Sequence, residues 1–232
     1  MTTRIAILGT GKMGQALADL ARDNGCEVVA QLGRSATEKG ITLAALRGAE
    51  VVIEFTLPSE AARLVRACAA LGVPVVSGTT GWDAERAAVE AEVKKSKGAL
   101  LWAPNFAVGV HLFARLVAEA ARTFTAKAGG FEARIVETHH TRKLDAPSGT
   151  AKFLAAGAKA ARGSEIEISS IREGDVVGTH ELILDGTFEQ VRLVHEARDR
   201  RVFAAGALAV ARWLKGRQGV LTFDDFLEEI AR

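Results

Sequence analysis

The chain has 232 residues, 48% hydrophobic and 25% charged, and 30 Lys and Arg against 28 Asp and Glu leave a formal net charge of +2. So even a balance argues against a protein that holds nucleic acid by bulk electrostatics, though not against a local basic pocket. The length supports a large core and one or two domains.

The N-terminus lacks the pattern of a signal peptide, and the longest nearly apolar run, residues 202–211, is half of what a membrane span needs. Cys26 and Cys68 lie in apolar surroundings without paired spacing. They read as reduced thiols of a cytoplasmic protein, with no disulfide framework and no zinc site.

In chain order, residues 4–8, 27–32, 51–55, 73–77 and 100–103 are short apolar runs that read as strands. They are continuous rather than alternating, as expected of parallel strands covered on both faces. Helical patterns separate them at 12–23, 58–71 and 83–95. Pro58 suits a first helical turn, and Ser59 and Glu60 suit its positive end. Such alternation predicts right-handed βαβ units. Between the second and third strands only residues 42–47 look helical, so a stunted crossover is expected.

Beyond Phe106 the pattern changes. Val108, Leu112, Leu116, Val117, Ala120 and Phe124 mark an amphipathic helix. Residues 131–138 read as a strand and 149–162 as a helix. Three strand-like runs follow at 165–171, 176–184 and 188–194, without long helices between them. That predicts a mixed or antiparallel sheet in a second lobe. Residues 202–214 and 223–230 are helical again. The fold class is α/β: a parallel-sheet domain plus a smaller α+β domain with a mixed sheet.

Gly9-Thr10-Gly11-Lys12-Met13-Gly14 directly follows the first strand and opens a helix. Gly9 permits the tight turn, Gly11 lets backbone approach a pyrophosphate, and Gly14 lets helix pack on strand. The helix N-terminus offers N–H groups to phosphates. A fold that prefers NAD usually carries a carboxylate at the end of the second strand. Here the residues are Leu32-Gly33-Arg34-Ser35, with no carboxylate between Glu27 and Glu38. Arg34 and Ser35, with Lys12, suit a 2′-phosphate, so NADPH is expected to be preferred and NADH also admitted. Gly78-Thr79-Thr80-Gly81 and Ala103-Pro104-Asn105-Phe106 follow the fourth and fifth strands, where doubly wound sheets bind ligands. Each is equally well read as a plain turn.

The most informative stretch runs from Glu137 to Ala151. His139, His140, Arg142 and Lys143 crowd a strand's end, and Pro147 and Ser148 are expected to open a helix whose positive end carries the Gly149 and Thr150 N–H groups. This combination favours a bound carboxylate or phosphate, and histidine adds a proton donor near neutral pH. Reduction of a small anionic substrate is the reaction class it suggests. No metal is expected, since His139 and His140 are adjacent and no third ligand has a recognisable spacing. His111, His180 and His195 are scattered and receive no role. Trp82, Trp102 and Trp213 read as packing residues.

On these motifs, together with Glu54-Phe55-Thr56 and Arg172-Glu173-Gly174-Asp175-Val176-Val177-Gly178-Thr179-His180, the chain resembles the 4-hydroxy-tetrahydrodipicolinate (dihydrodipicolinate) reductase family. The agreement covers essentially the whole chain. The resemblance implies NAD(P)H-dependent reduction of 4-hydroxy-tetrahydrodipicolinate to tetrahydrodipicolinate, with loss of water, in diaminopimelate and lysine biosynthesis. It implies His139 as proton donor, Lys143 as second catalytic residue, and His140, Ser148, Gly149 and Thr150 around a small dicarboxylate. It implies cofactor contacts from Gly9 to Gly14, Gly78 to Thr80 and Ala103 to Phe106. It further implies a Rossmann-like domain over 1–106 completed by 203–232, a substrate and oligomerisation domain over 107–202, and a homotetramer. Two positions depart from the family pattern: Leu8 stands at the start of the glycine loop, and Gly33 stands where an acidic residue is common. The rival expectations are another nicotinamide-dependent dehydrogenase, such as an amino-acid dehydrogenase, and a non-catalytic NADPH-binding regulator.

Overall fold

The computed structural model describes residues 2–230; Met1 and residues 231–232, the last two of the segment expected to complete the first domain, lie outside the described residues. In chain order the strands are β1 (Thr3–Leu8), β2 (Cys26–Leu32), β3 (Val51–Glu54), β4 (Val75–Ser77), β5 (Ala99–Trp102), β6 (Glu132–His139), β7 (Glu167–Arg172), β8 (Gly178–Asp185), β9 (Gln190–Ala197) and β10 (Gly219–Leu221). The helices are α1 (Lys12–Leu20), α2 (Arg34–Thr37), α3 (Leu43–Leu46), α4 (Pro58–Ala70), α5 (Asp83–Lys95), α6 (Val108–Thr123), α7 (Gly149–Arg162), α8 (Arg201–Leu214) and α9 (Phe223–Ile230). The chain divides into two units, residues 1–106 with 201–232, and residues 107–200.

The first unit is built on a six-stranded parallel sheet of order β10-β5-β4-β3-β1-β2. Its central strands are the continuous apolar runs, and Ile5, Ile7, Leu8, Val52 and Ile53 are wholly buried. Each such side chain contributes about 1.5–3 kcal/mol by leaving water. The strand order reverses between β1 and β3, so the crevice of this doubly wound, Rossmann-like sheet opens at their C-terminal ends. Helix α8 packs against α1, β1, β3 and β4. Gly206 lets α8 lie close to the segment after β5, because a Cβ there would sit 1.7 Å from the Phe106 carbonyl oxygen.

Three details differ from the sequence expectations. The crossover after β2 holds two single turns, α2 and α3, so residues 34–37 are helical in addition to the turn expected within 42–47. The first helix stops at Leu20 and a 3₁₀ turn, Arg22–Asn24, follows, closed by Gly25 at φ +67°. Strand β10 has only three residues, too few to show a period, and is held by parallel pairing with β5.

The second unit has a mixed sheet of order β7-β6-β8-β9, with β7 parallel to β6 and the other pairs antiparallel. Helices α6 and α7 pack on each other, and Phe113, Val117, Leu154, Ala158, Ile135, Leu182 and Leu184 form the core between helices and sheet. Alternation then fixes the site. Glu137 and His139 share the core face with Ile135, and His180 shares it with Leu182 and Leu184. Register sets Ser170 and His180 on either side of Glu137, and Arg172 beside His139.

Candidate active site

In the first unit the glycine loop is shaped by contacts that exclude side chains. Gly9 has φ +118°, and a Cβ on it would lie 2.1 Å from the Phe55 carbonyl oxygen. A Cβ on Gly14 would lie 2.2 Å from the Gly9 carbonyl oxygen. At Gly11 the same construction meets nothing within 4 Å, and Gly11 is the N-cap of α1, with no side chain capping the helix. Beside it is a cavity of about 240 Å³ whose wall includes Gly9, Thr10, Gly11, Arg34, Thr56 and Leu57. An open helix N-terminus, room for backbone approach and an exposed arginine fit the pyrophosphate and ribose of a dinucleotide.

Next to this cavity lies a buried polar hub. Glu54 ends β3 and is wholly buried. Its Oε1 accepts from the Thr56 N–H at 2.8 Å, the Thr56 hydroxyl at 2.5 Å and the Thr79 hydroxyl at 2.6 Å. Its Oε2 accepts from the Ser77 hydroxyl at 2.6 Å. The Thr79 carbonyl accepts both indole N–H groups of Trp82 and Trp102, each at 2.8 Å. The turn after β4 is therefore fixed from two sides, by hydroxyl and by carbonyl. Two of the tryptophans expected merely to pack hold it in place. Burial and the charge of Glu54 push the Cys68 thiol up to about 12, so Cys68 is an inert core residue.

In the second unit the strand end carries a second buried carboxylate. Glu137 is wholly buried and contacts His139 Nδ1 through one oxygen. Its other oxygen accepts from Arg172 Nη2 at 2.9 Å and the Ser148 N–H at 3.3 Å. Burial pushes the Glu137 carboxyl up, but hydrogen bonds from Ser170 and Arg172 and the nearby positive charges outweigh it, so the group sits below the usual carboxylate range. Burial lowers the His139 ring, and Lys143 and Arg172 lower it further, against the opposing pull of Glu137. His180 lies with its ring centroid 5.1 Å from that of His139 and its Nε2 3.3 Å from the Ser148 hydroxyl. Burial and the charge of His139 push His180 down to about 4.

Ser148 is the N-cap of α7 rather than part of the helix, and its hydroxyl accepts from the Ala151 N–H at 3.1 Å. Gly149 is exposed at the helix's positive end, with nothing within 4 Å of a Cβ position. Lys143 Nζ reaches Asp145 at 2.8 Å. Arg172 ties the same segment down, donating to the carbonyls of Lys143 at 3.3 Å and Asp145 at 2.6 Å. His140 Nε2 faces Arg200 at 2.9 Å, and its Nδ1 is buried with no hydrogen-bond partner among the described residues. Because Arg200 can only donate, the His140 proton belongs on Nδ1.

The structure thus gathers Gly9, Thr10, Gly11 and Arg34 around one cavity, with Lys12, Met13 and Gly14 opening α1. Gly78, Thr79, Thr80 and residues 103–106 are not in that cavity's wall. Thr79 joins it only through its hydrogen bond from the Thr56 N–H, at 2.8 Å. Phe106 is buried edge-on against Phe55 and Phe223. Pro104 is exposed and Asn105 half-buried in the turn before it. In the second unit His139, His140, Lys143, Ser148, Gly149 and Thr150 cluster at the end of β6 and the start of α7. Sequence reasoning gave no role to Glu54, Glu137, Arg172 or His180. The signal for the two glutamates is a carboxylate inside an otherwise apolar strand or on its apolar face. Among the described residues, Glu137, His139 and His180 have ligand atoms within 4.8 Å of one another, near enough for a metal ion. Arg172 and the Ser148 N–H already occupy one of the carboxylate oxygens, and their positive character disfavours a cation there.

Residues 3–106 match the family described as "Dihydrodipicolinate reductase, N-terminus", and residues 109–227 match "Dihydrodipicolinate reductase, C-terminus". The 4-hydroxy-tetrahydrodipicolinate reductase of Thiobacillus denitrificans is 37% identical, covering 94% of this chain and 95% of its own. That of Xanthomonas euvesicatoria is 42% identical, covering 90% of each chain. The structure of a dipicolinate-bound dihydrodipicolinate reductase from Paenisporosarcina sp. TG-14 matches with a TM-score of 0.79 at 24% identity, over 96% of this chain and 98% of that one. An aspartate dehydrogenase from Thermotoga maritima shares the fold at a TM-score of 0.54 and 12% identity, over 94% and 98%.

Proposed function

The chain belongs to the dihydrodipicolinate reductase family, and from that premise we propose that it reduces 4-hydroxy-tetrahydrodipicolinate to tetrahydrodipicolinate, with loss of water, using NAD(P)H. The reaction serves diaminopimelate and lysine synthesis. The observation that carries the reading is the joint presence of an open, glycine-cradled helix N-terminus in one unit and an imidazole–ammonium–helix cluster in the other.

Reduced nicotinamide, when bound, supplies the hydride. The chain's own residues do the rest. Gly9 to Gly14 receive the pyrophosphate at the start of α1, and the turns carrying Gly78 to Thr80 and Ala103 to Phe106 support the remainder of the cofactor. Arg34, exposed at the cavity wall, favours NADPH through a 2′-phosphate; Glu60 in the same wall is paired with Arg63. Lys143, His140 and the N–H groups of Gly149 and Thr150 hold the two carboxylates of the substrate. Loss of water takes the hydroxyl from one substrate carbon and a hydrogen from its neighbour; hydride goes to the first carbon, and His139 gives the neighbour a proton in return. Although burial lowers this ring in the unliganded site, a bound dianion favours its protonated form, so substrate arrives together with the proton it needs.

The sheet face of the second unit away from α6 and α7 exposes Ile171 and Val194, which supports assembly into a homotetramer through that domain. The same reading makes the protein a cytoplasmic enzyme. The deciding experiment is a coupled assay with freshly generated 4-hydroxy-tetrahydrodipicolinate, run with NADPH and with NADH. Turnover with NADPH favoured is expected. Absence of turnover on this substrate, alongside oxidation of either reduced cofactor with a keto acid and ammonia, or reduction of its oxidised form with an amino acid, would replace the reading with an amino-acid dehydrogenase.

A further inference from the structure

The carboxylate of Glu137 brings together the His139 ring, the Arg172 guanidinium and the N–H of the residue that caps α7, with a further hydrogen bond from Ser170. We propose that Glu137 is the positioning residue of this site: it takes the Nδ1–H of His139, so that the ring works from Nε2, and it fixes the turn from which α7 springs. The inference rests on the reading of His139 as proton donor.

The chemistry follows from donor and acceptor types. A carboxylate only accepts, so a neutral His139 must place its single proton on Nδ1 to satisfy Glu137. Nε2 is then the atom that carries and delivers the second proton. The space beside Nε2 is kept clear by Gly178, where a Cβ would come within 2.9 Å of that nitrogen. The charged and titratable groups facing the ring are Glu137 on β6, Lys143 in the turn after it, Arg172 on β7 and His180 on β8. Among them Glu137 alone is anionic, so it is the group that favours the protonated ring.

Substitution by glutamine separates the two duties. Arg172 and the Ser148 N–H can only donate, so in Glu137→Gln the new amide carbonyl must turn toward them and the amide NH₂ toward His139. The turn is retained, while the neutral ring must now accept at Nδ1 and carry its proton on Nε2. Long-range ¹H–¹⁵N NMR of the histidine rings in the full chain reads this directly, with the His139 signals assigned by their loss in His139→Gln. In the unmutated protein, above the ring's titration midpoint, the Nδ1–H form is expected. The opposite form there overturns the proposal without any variant. In Glu137→Gln the proton is expected on Nε2, with His139 titrating at lower pH because an anion has gone. In the reductase assay, kcat should fall by about 10²-fold, with its alkaline limb moved to lower pH and KM for the dicarboxylate nearly unchanged. An unaltered tautomer and titration in Glu137→Gln overturns the proposal. Because the NMR needs no substrate, failure of the reductase assay in the unmutated protein would count against the proposed function alone.

Discussion

Glu54 and Glu137 invite comparison, because each is a wholly buried carboxylate at the end of a strand, one in each unit, and each is held by several hydrogen bonds. Their partners differ in kind. Around Glu54 stand the hydroxyls of Thr56, Ser77 and Thr79 and one backbone N–H. Around Glu137 stand a guanidinium, an imidazole and the backbone N–H of Ser148, beside one hydroxyl, that of Ser170. Hydroxyls can turn to donate or accept and do not titrate, so the first cluster is a passive brace for the turn at Thr79. Arginine can only donate, and histidine titrates. The second cluster therefore links its geometry to a proton. On the proposed role of Glu137, a buried carboxylate becomes scaffold or machinery according to whether its neighbours can change charge.

The largest effect expected to sharpen this contrast comes from the titrating neighbour itself. His139→Gln keeps a side chain able to bond Glu137 but cannot carry a proton to substrate. Turnover should fall by about 10²–10⁴-fold, the usual contribution of a general acid. NADPH binding, followed by cofactor fluorescence, should be unchanged, since the glycine loop belongs to the other unit. If turnover is unchanged, the second cluster is as passive as the first and the distinction between them disappears.

The charge tested in the cofactor unit, that of Arg34, is a static one. Arg34→Ala should lower kcat/KM with NADPH by about 10- to 150-fold, the equivalent of one charge-assisted contact of about 1.5–3 kcal/mol. The value with NADH should hardly move, because NADH has no 2′-phosphate for Arg34 to meet. Parallel kinetics with both cofactors check this. A preference for NADH in the unmutated chain would break the reading of Arg34 as the determinant.

The two regions also differed in how far they could be read from sequence. The parallel sheet was legible because its strands are unbroken apolar runs, and the glycine loop because Gly9 and Gly14 are required by contacts a Cβ would violate. The His139 to Thr150 segment was legible because its chemistry is contiguous. What could not be read depends on register across strands far apart in the chain. His180 looked scattered until pairing set it opposite Glu137, and Arg172 until pairing set it beside His139. Likewise, nothing in the spacing of Trp82 and Trp102 says that both indoles meet one carbonyl of Thr79. Strand β10 and the single turn at Arg34 were too short for any period to announce them.

The smallest expected effect is the sharpest test of the comparison, because it predicts that one isosteric change is harmless where its counterpart is not. In Glu54→Gln the amide carbonyl can stay where Oε1 is, accepting from the Thr56 N–H and from the Thr56 and Thr79 hydroxyls. The NH₂ then takes the place of Oε2 and donates to Ser77, whose hydroxyl turns from donor to acceptor. Each bond becomes weaker on losing its charge, but the folded state no longer has to bury an anion, and the two changes oppose each other. Urea unfolding should therefore place Glu54→Gln within about 1 kcal/mol of the unmutated chain. Glu54→Ala should cost about 2 kcal/mol or more, since the Thr56 N–H loses its side-chain carboxylate and a cavity opens. If Glu54→Gln proves as damaging as Glu54→Ala, the negative charge itself is needed at Glu54, and the first cluster cannot be called passive.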